Sequence, residues 1–234
     1  MRQILLDTET TGLDPKLGHR IVEIAAVELC NRQLTGRHFH YYLNPERESD
    51  ASALQIHGLT RDFLQDKHKF HDICEAFLEF IDNAELLIHN APFDVGFLDH
   101  ELGLIQLQPL RNYCTKITDT LVLAKELHPG KRNNLDALCE RYQIDHTKRT
   151  LHGALLDAEL LAEVYLAMTR GQESLLMELD IAPISIETGV KIENLHLAVL
   201  PASEEELELH AQQLESIDKE SKGKCLWKHR GLRS

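Results

Sequence analysis

Apolar residues in this chain change their period partway along it, and that change limits the architectures open to it. Residues 3–6 are a short apolar run ending in Asp7-Thr8-Glu9-Thr10-Thr11-Gly12, after which Leu13-Asp14-Pro15 completes a turn cluster. Residues 20–29 and 37–43 are rich in Ile, Val, Phe and Tyr and are joined by a polar stretch ending in Gly36, which predicts an antiparallel meander. From residue 72 the spacing turns helical, with Ile73, Phe77, Phe80 and Ile81 on one face of a helix over 72–81. A buried strand is expected at 85–89, then a helix capped by Asn90 with Pro92 in its first turn. Helices over 119–127, 134–142 and 154–168 follow, with a short strand near Tyr113. Hairpin strands succeeded by alternating strands and helices predict an α/β fold, a mixed central sheet with helices packed on it.

The pattern fades after Gly171. Residues 173–192 hold Pro183 and Gly189 among aperiodic apolar residues and read as a linker. Beyond it, residues 195–200 are strand-like, Ser203-Glu204-Glu205-Glu206 opens a capped helix running to about Ile217, and the chain is basic from Lys222 onward. That is too little to build a core, so the end of the chain reads as a docking element that orders on a partner. The expected division is a catalytic domain at 1–170, a linker at 171–192 and a docking tail at 193–234.

Composition excludes several classes. With 43% hydrophobic and 27% charged residues the chain has an ordinary globular balance, and no apolar run approaches the roughly 20 residues that span a bilayer. Met1-Arg2-Gln3-Ile4 carries no signal-peptide pattern, so a cytoplasmic location is expected. Cys30, Cys74, Cys114, Cys139 and Cys225 include no C-x-x-C pair and read as core filler or free thiols, with Cys225 expected to be exposed. A net charge of −13 opposes long-range attraction to phosphate. A carboxylate-rich site can still meet phosphate through divalent cations, which points to a local grip on a strand end.

Asp7 and Glu9 lie two apart on a strand and leave the same face of it. Isolated D-x-E triplets are usually solvated acids, but the strand before this one is too apolar for a surface strand, and a tight turn at Gly12 can bring backbone N–H groups near a nucleotide. Asp94 falls in the first turn of the helix after the buried strand, where an acid alone would serve the helix dipole. Pro92, Phe93 and Phe97 read as packing, and Asp119 as a helix cap outside the site. His152 and Asp157 are five apart, about 500° along a regular helix, so they share a site only if His152 stands on the loop ahead of the helix, which Gly153 makes natural. Asp7, Glu9, Asp94, Asp157 and His152 together are the inventory of a two-metal phosphodiesterase. Two Mg²⁺ or Mn²⁺ ions about 3.5–4 Å apart suit such oxygen ligands, and a neutral histidine can take a proton from the attacking water.

In order, Asp7-Thr8-Glu9, Phe93-Asp94 and His152 to Asp157 resemble the D-x-E, F-D and H-x-x-x-x-D signature of the DEDDh exonuclease family, over residues 3–168. The resemblance implies an RNase H-like fold, metal binding by Asp7, Glu9, Asp94 and Asp157, a general base at His152, and substrate contacts from Asp7, Glu9 and Asp157. Within that family, Leu6 to Gly12, Pro129-Gly130-Lys131-Arg132-Asn133 and Thr147 to Asp157 are most similar to the proofreading epsilon subunits of bacterial DNA polymerase III. That likeness makes His57 and Ile56 expected contacts of the terminal nucleotide of a single-stranded or frayed DNA 3′ end. The position five residues earlier, often acidic in the relatives, is Ser52 here and is the expected sugar contact. Gln172, Leu175 and Met177 are similar to the family's sliding-clamp-binding peptide, with Met177 in place of the usual terminal aromatic. The tail through Glu204-Glu205, His210 and Cys225-Leu226-Trp227 resembles the segment that joins the polymerase alpha subunit, and a small theta-like subunit is a further implied partner.

Two rivals stand beside this expectation. An RNA exonuclease of the same superfamily, related to RNase T or oligoribonuclease, would share the catalytic residues and lack the tail. A non-catalytic scaffold bridging polymerase and clamp would have no need to keep mutually repelling acids together. Gly130-Lys131 lacks the glycine spacing of a phosphate-binding loop, and the remaining histidines, His68 and His71 among them, read as surface or core.

Overall fold

The computed structural model describes residues 1–147, 151–170 and 202–221. These fall into two compact units, one within Met1–Asp180 and one within Ile181–Ser234. The first is built on a five-stranded mixed sheet with the order β3-β2-β1-β4-β5. Strands β1 (Arg2–Thr10), β2 (Ile21–Cys30) and β3 (Gln33–Tyr42) form the antiparallel meander, whereas β4 (Glu85–Ile88) and β5 (Lys116–Asp119) run parallel to β1.

Alternation along β1 serves two cores. Ile4 and Leu6 join a large cluster with Phe77 and Ile81 of α3 (Phe70–Ile81) and Phe97, Leu98 and Leu102 of α4 (Ala91–Leu104). Leu5 turns to the opposite face and packs with Leu87 and with Leu161 and Ala162 of α7 (Ala154–Met168). By that parity Asp7 and Glu9 belong to the α7 face and Thr8 to the α4 face. Helices α5 (Thr120–Leu127) and α6 (Leu135–Tyr142) complete the α7 side through Ala124, Leu138 and Cys139. The α/β expectation is therefore met, and the helices at α3 and α5 to α7 lie where the apolar spacing put them.

Four local differences have physical causes. Strand β3 begins at Gln33, so the polar stretch through Gly36 is largely strand; Asn31 and Arg32 turn the hairpin with φ of 48° and 63°, and β3 is polar because it is an exposed edge. The strand expected near Tyr113 starts at Lys116, because Leu110–Asn112 is a 3₁₀ turn closed by the Tyr113 N–H on the Leu110 carbonyl. Asn90 heads α4 in a left-handed conformation without capping it through its side chain. Its N–H is instead held by Asp119 Oδ1 at 3.1 Å, and the same oxygen caps α5 through the Leu121 N–H at 2.9 Å. Two short helices, α1 (Ala51–His57) and α2 (Arg61–Leu64), were not expected, since most of their residues face solvent and show no apolar period.

In the second unit α8 (Glu204–Glu220) opens with the expected capping box between Ser203 and Glu206 and runs three residues past Ile217. None of its residues is buried. Among the described residues no helix is long and apolar enough to cross a membrane. The clamp-type peptide at Gln172, Leu175 and Met177, the strand expected at 195–200 and Cys225-Leu226-Trp227 lie outside the described residues.

Candidate active site

Strands β1 and β4 end at the same edge of the sheet, and helix α4 starts directly after β4, so Asp94 arrives beside the end of β1. Thr8, which points to the α4 face, donates its hydroxyl to Asp94 Oδ1 at 2.7 Å. Asp157 enters from the other face, in the first turn of α7, and a register shift between Glu9 and Thr10 marks a bulge where β1 leaves regular pairing. His152 stands on the loop ahead of α7, with Gly153 as the extended N-cap, and its Nδ1 lies 3.5 Å from Asp157 Oδ2. Asp7, Glu9, Asp94, His152 and Asp157 all line one cleft of about 240 Å³. Ligand atoms of Glu9, His152 and Asp157 lie within 4.8 Å of one another.

Burial sets the chemistry of these acids. Asp94 is 3% exposed, and desolvation drives its pKa up to about 7, against the stabilising bond from Thr8 and with a smaller push from the Asp119 charge. Glu9 and Asp157 are buried as well, and Glu23, directly opposite Glu9 in the β1–β2 register, is a further buried acid, held by His40 Nε2 at 2.7 Å. Acids gathered in so small a volume call for a cation, and their carboxylate oxygens are the donor chemistry of hard divalent ions. The residues fit such ions.

A second recess of about 230 Å³, mostly apolar, shares Thr8, Glu9 and Phe93 with the cleft. Leu13, Ser52, Ile56 and His57 line it, so the three expected nucleotide contacts at 52, 56 and 57 come together, all from α1. His57 is buried and its Nδ1 accepts from the Leu59 N–H at 2.9 Å, which leaves the proton on Nε2. That Nε2 is buried without a hydrogen bond of good geometry; the Thr10 carbonyl and the Glu23 charge only partly offset the burial that lowers the His57 pKa. Gly12 also lines this recess, and a side chain there would put Cβ 2.3 Å from the His19 ring, so close packing with His19 requires the glycine.

The structure adds lining residues that the sequence reading left out: His89, Asn90, Asn134 and Asp136. His89, grouped above with surface or core histidines, faces the cleft instead, its Nδ1 bonded to the Thr120 hydroxyl at 3.0 Å and its pKa lowered by burial. Its signal was positional, because it follows a strand parallel to β1 and so lands at the same edge. Phe93, expected as packing, lines both the cleft and the recess while also packing on Phe97.

Comparison with known proteins identifies the family. The family described as Exonuclease matches residues 4–165. The nuclease domain of 3′hExo, a DEDDh family member bound to rAMP, superposes with a TM-score of 0.63 at 19% identity, covering 73% of this chain and 92% of that one, which fixes the fold. The class is thus that of the exonucleases, hydrolases of phosphodiester bonds. The DNA polymerase III subunit epsilon of Salmonella typhimurium is 50% identical over 237 residues, covering 97% of each chain, and that of Escherichia coli is 47% identical with the same coverage. The chain belongs to the family of DNA polymerase III epsilon subunits, and it is a 3′→5′ DNA exonuclease.

Proposed function

We propose that this chain is the proofreading nuclease of polymerase III, hydrolysing mispaired or single-stranded DNA 3′ ends to 5′-mononucleotides. The observation that carries the reading is the convergence of Asp7, Glu9, Asp94, His152 and Asp157, from β1, α4, and α7 with its leading loop, on a single cleft. Two divalent ions, Mg²⁺ or Mn²⁺, held by Asp7, Glu9, Asp94 and Asp157 would supply water activation and neutralise charge on the scissile phosphate. His152 is the base: its Nδ1 lies 3.5 Å from Asp157 Oδ2, and a neutral imidazole that carries its proton on Nδ1 takes the proton of the attacking water at Nε2. His57 offers its buried Nε2–H to the terminal nucleotide, and Leu13 and Ile56 give the apolar wall against which the last base parts from its neighbour. Ser52, exposed at the start of α1, is the sugar contact. A mispaired end costs less to unpair, so it enters this recess more often.

The substrate assignment is tested with 5′-labelled single-stranded DNA, matched and mismatched primer–templates, and RNA of the same sequence. The expected result is stepwise shortening from the 3′ end, faster on the mismatch and on DNA; a strong preference for RNA would overturn it.

For assembly, the relatives' name supports a place in polymerase III. Residues 1–170 then form the nuclease, 171–192 a linker whose Gln172, Leu175 and Met177 meet the sliding clamp, and 193–234 the segment that docks on the alpha subunit. A theta-like subunit is the remaining partner. A chain cut after residue 170 is expected to keep shortening oligonucleotides and to lose co-purification with alpha. Co-purification that persists would move the docking surface into the nuclease.

A further inference from the structure

His152 precedes α7, and its side chain is 45% exposed, so regular secondary structure does not fix it. Two contacts to the end of α1 do. The His152 N–H donates to the Ile56 carbonyl at 3.1 Å, one of the acceptors a helix leaves over in its last turn. Leu151, the residue before it, lies over Gly58: a Cβ built on that glycine would stand 2.8 Å from Leu151 Cδ1. Gly58 closes α1 in the left-handed conformation, with φ of 71° and its N–H on the Leu54 carbonyl. One glycine thus ends the helix and leaves bare the surface on which Leu151 sits. The same short helix turns Ile56 and His57 into the recess beside the cleft.

We propose that Leu151 is a positioning residue: seated on Gly58, it holds His152 over Asp157 and Glu9 and ties the placement of the base to the helix that meets the terminal nucleotide. The proposal rests on the reading of His152 as the base. A group on a loop keeps catalytic geometry only when packing locks it, and a displacement of about 1 Å can cost on the order of 100-fold in rate. Leu151 is 52% exposed, so its truncation spares the core, and the residue is free to be tested without unfolding the chain.

The full-length chain carrying Leu151→Ala is compared with wild type and with Leu151→Met, which can refill the same seat. Two quantities are read: hydrogen exchange of the His152 amide without metal, and kcat and KM on single-stranded DNA with Mg²⁺. In Leu151→Ala the amide is expected to exchange about tenfold faster and kcat to fall about tenfold, with KM nearly unchanged because α1 keeps its contacts. Leu151→Met restores both. Unchanged exchange in Leu151→Ala would overturn the seat, and faster exchange with wild-type kcat would overturn its positioning role. A raised KM at constant kcat would make Leu151 a substrate contact instead. Wild-type kcat in His152→Ala would remove the base assignment beneath the proposal, and the exchange rate separates that failure from loss of the seat.

Discussion

Replacing Asp7 and Glu9 together with Ala is expected to lower nucleotide release by at least about 10³-fold while the chain stays folded. The two acids leave the same face of β1 and reach the one cleft where Asp94 and Asp157 also arrive, so the double change removes the β1 half of the proposed metal ligands. Neither acid belongs to the apolar cores. The cores are built from Ile4, Leu5 and Leu6 earlier in β1, and Glu9 faces Glu23 directly across the β1–β2 pair. Like charges placed directly opposite destabilise a strand pair, and without metal the variant should unfold at the same or a slightly higher temperature. The check is a gel assay on a labelled oligonucleotide beside a thermal melt of the same preparation. Metal-dependent digestion that survived in a folded double variant would refute the site.

The contrast between the core and the edge of the site explains what was legible beforehand. Helix α7 was placed at Ala154–Met168 from spacing because eight of its residues are buried, and burial is what imposes a period on a sequence. Asp7, Glu9, Asp94 and Asp157 are legible as candidates because they fall toward the ends of such elements, with His152 on the loop just ahead of α7. Helix α1 carries the recess yet escaped notice: of its seven residues only His57 is buried, and its apolar Leu54 and Ile56 stay exposed. A surface helix of this kind has no core to advertise it. His89 escaped for a related reason, since its place at the cleft comes from the parallel pairing of β4 with β1, a contact made across some 80 residues of chain. Asp119 is legible as a cap from its place before a helix, whereas its second bond, to the Asn90 N–H at the start of α4, depends on the fold.

Asp94 makes the stability of the metal-free protein depend on pH in a direction opposite to that of an ordinary paired carboxylate. Its folded pKa of about 7 lies above the usual 3.8, so between those values the folded state binds a proton that the unfolded state has released. The stabilising contribution is therefore complete below about pH 4, falls as pH rises toward 7, and is gone above it, a change on the order of 4 kcal/mol at most. At the proposed metal site divalent ions would reverse the trend by replacing that proton: at pH 8 the carboxylate is already ionised, whereas at pH 5.5 the proton would compete and weaken binding by about 30-fold, or about 2 kcal/mol. Unfolding midpoints measured in EDTA should decline from pH 5 to pH 8 relative to those of Asp94→Asn, which cannot titrate at this position. Added Mg²⁺ should raise the wild-type midpoint more at pH 8 than at pH 5.5. If wild type and Asp94→Asn trace parallel curves in EDTA, the buried carboxyl is not holding its proton, and the cleft is more hydrated than its burial implies.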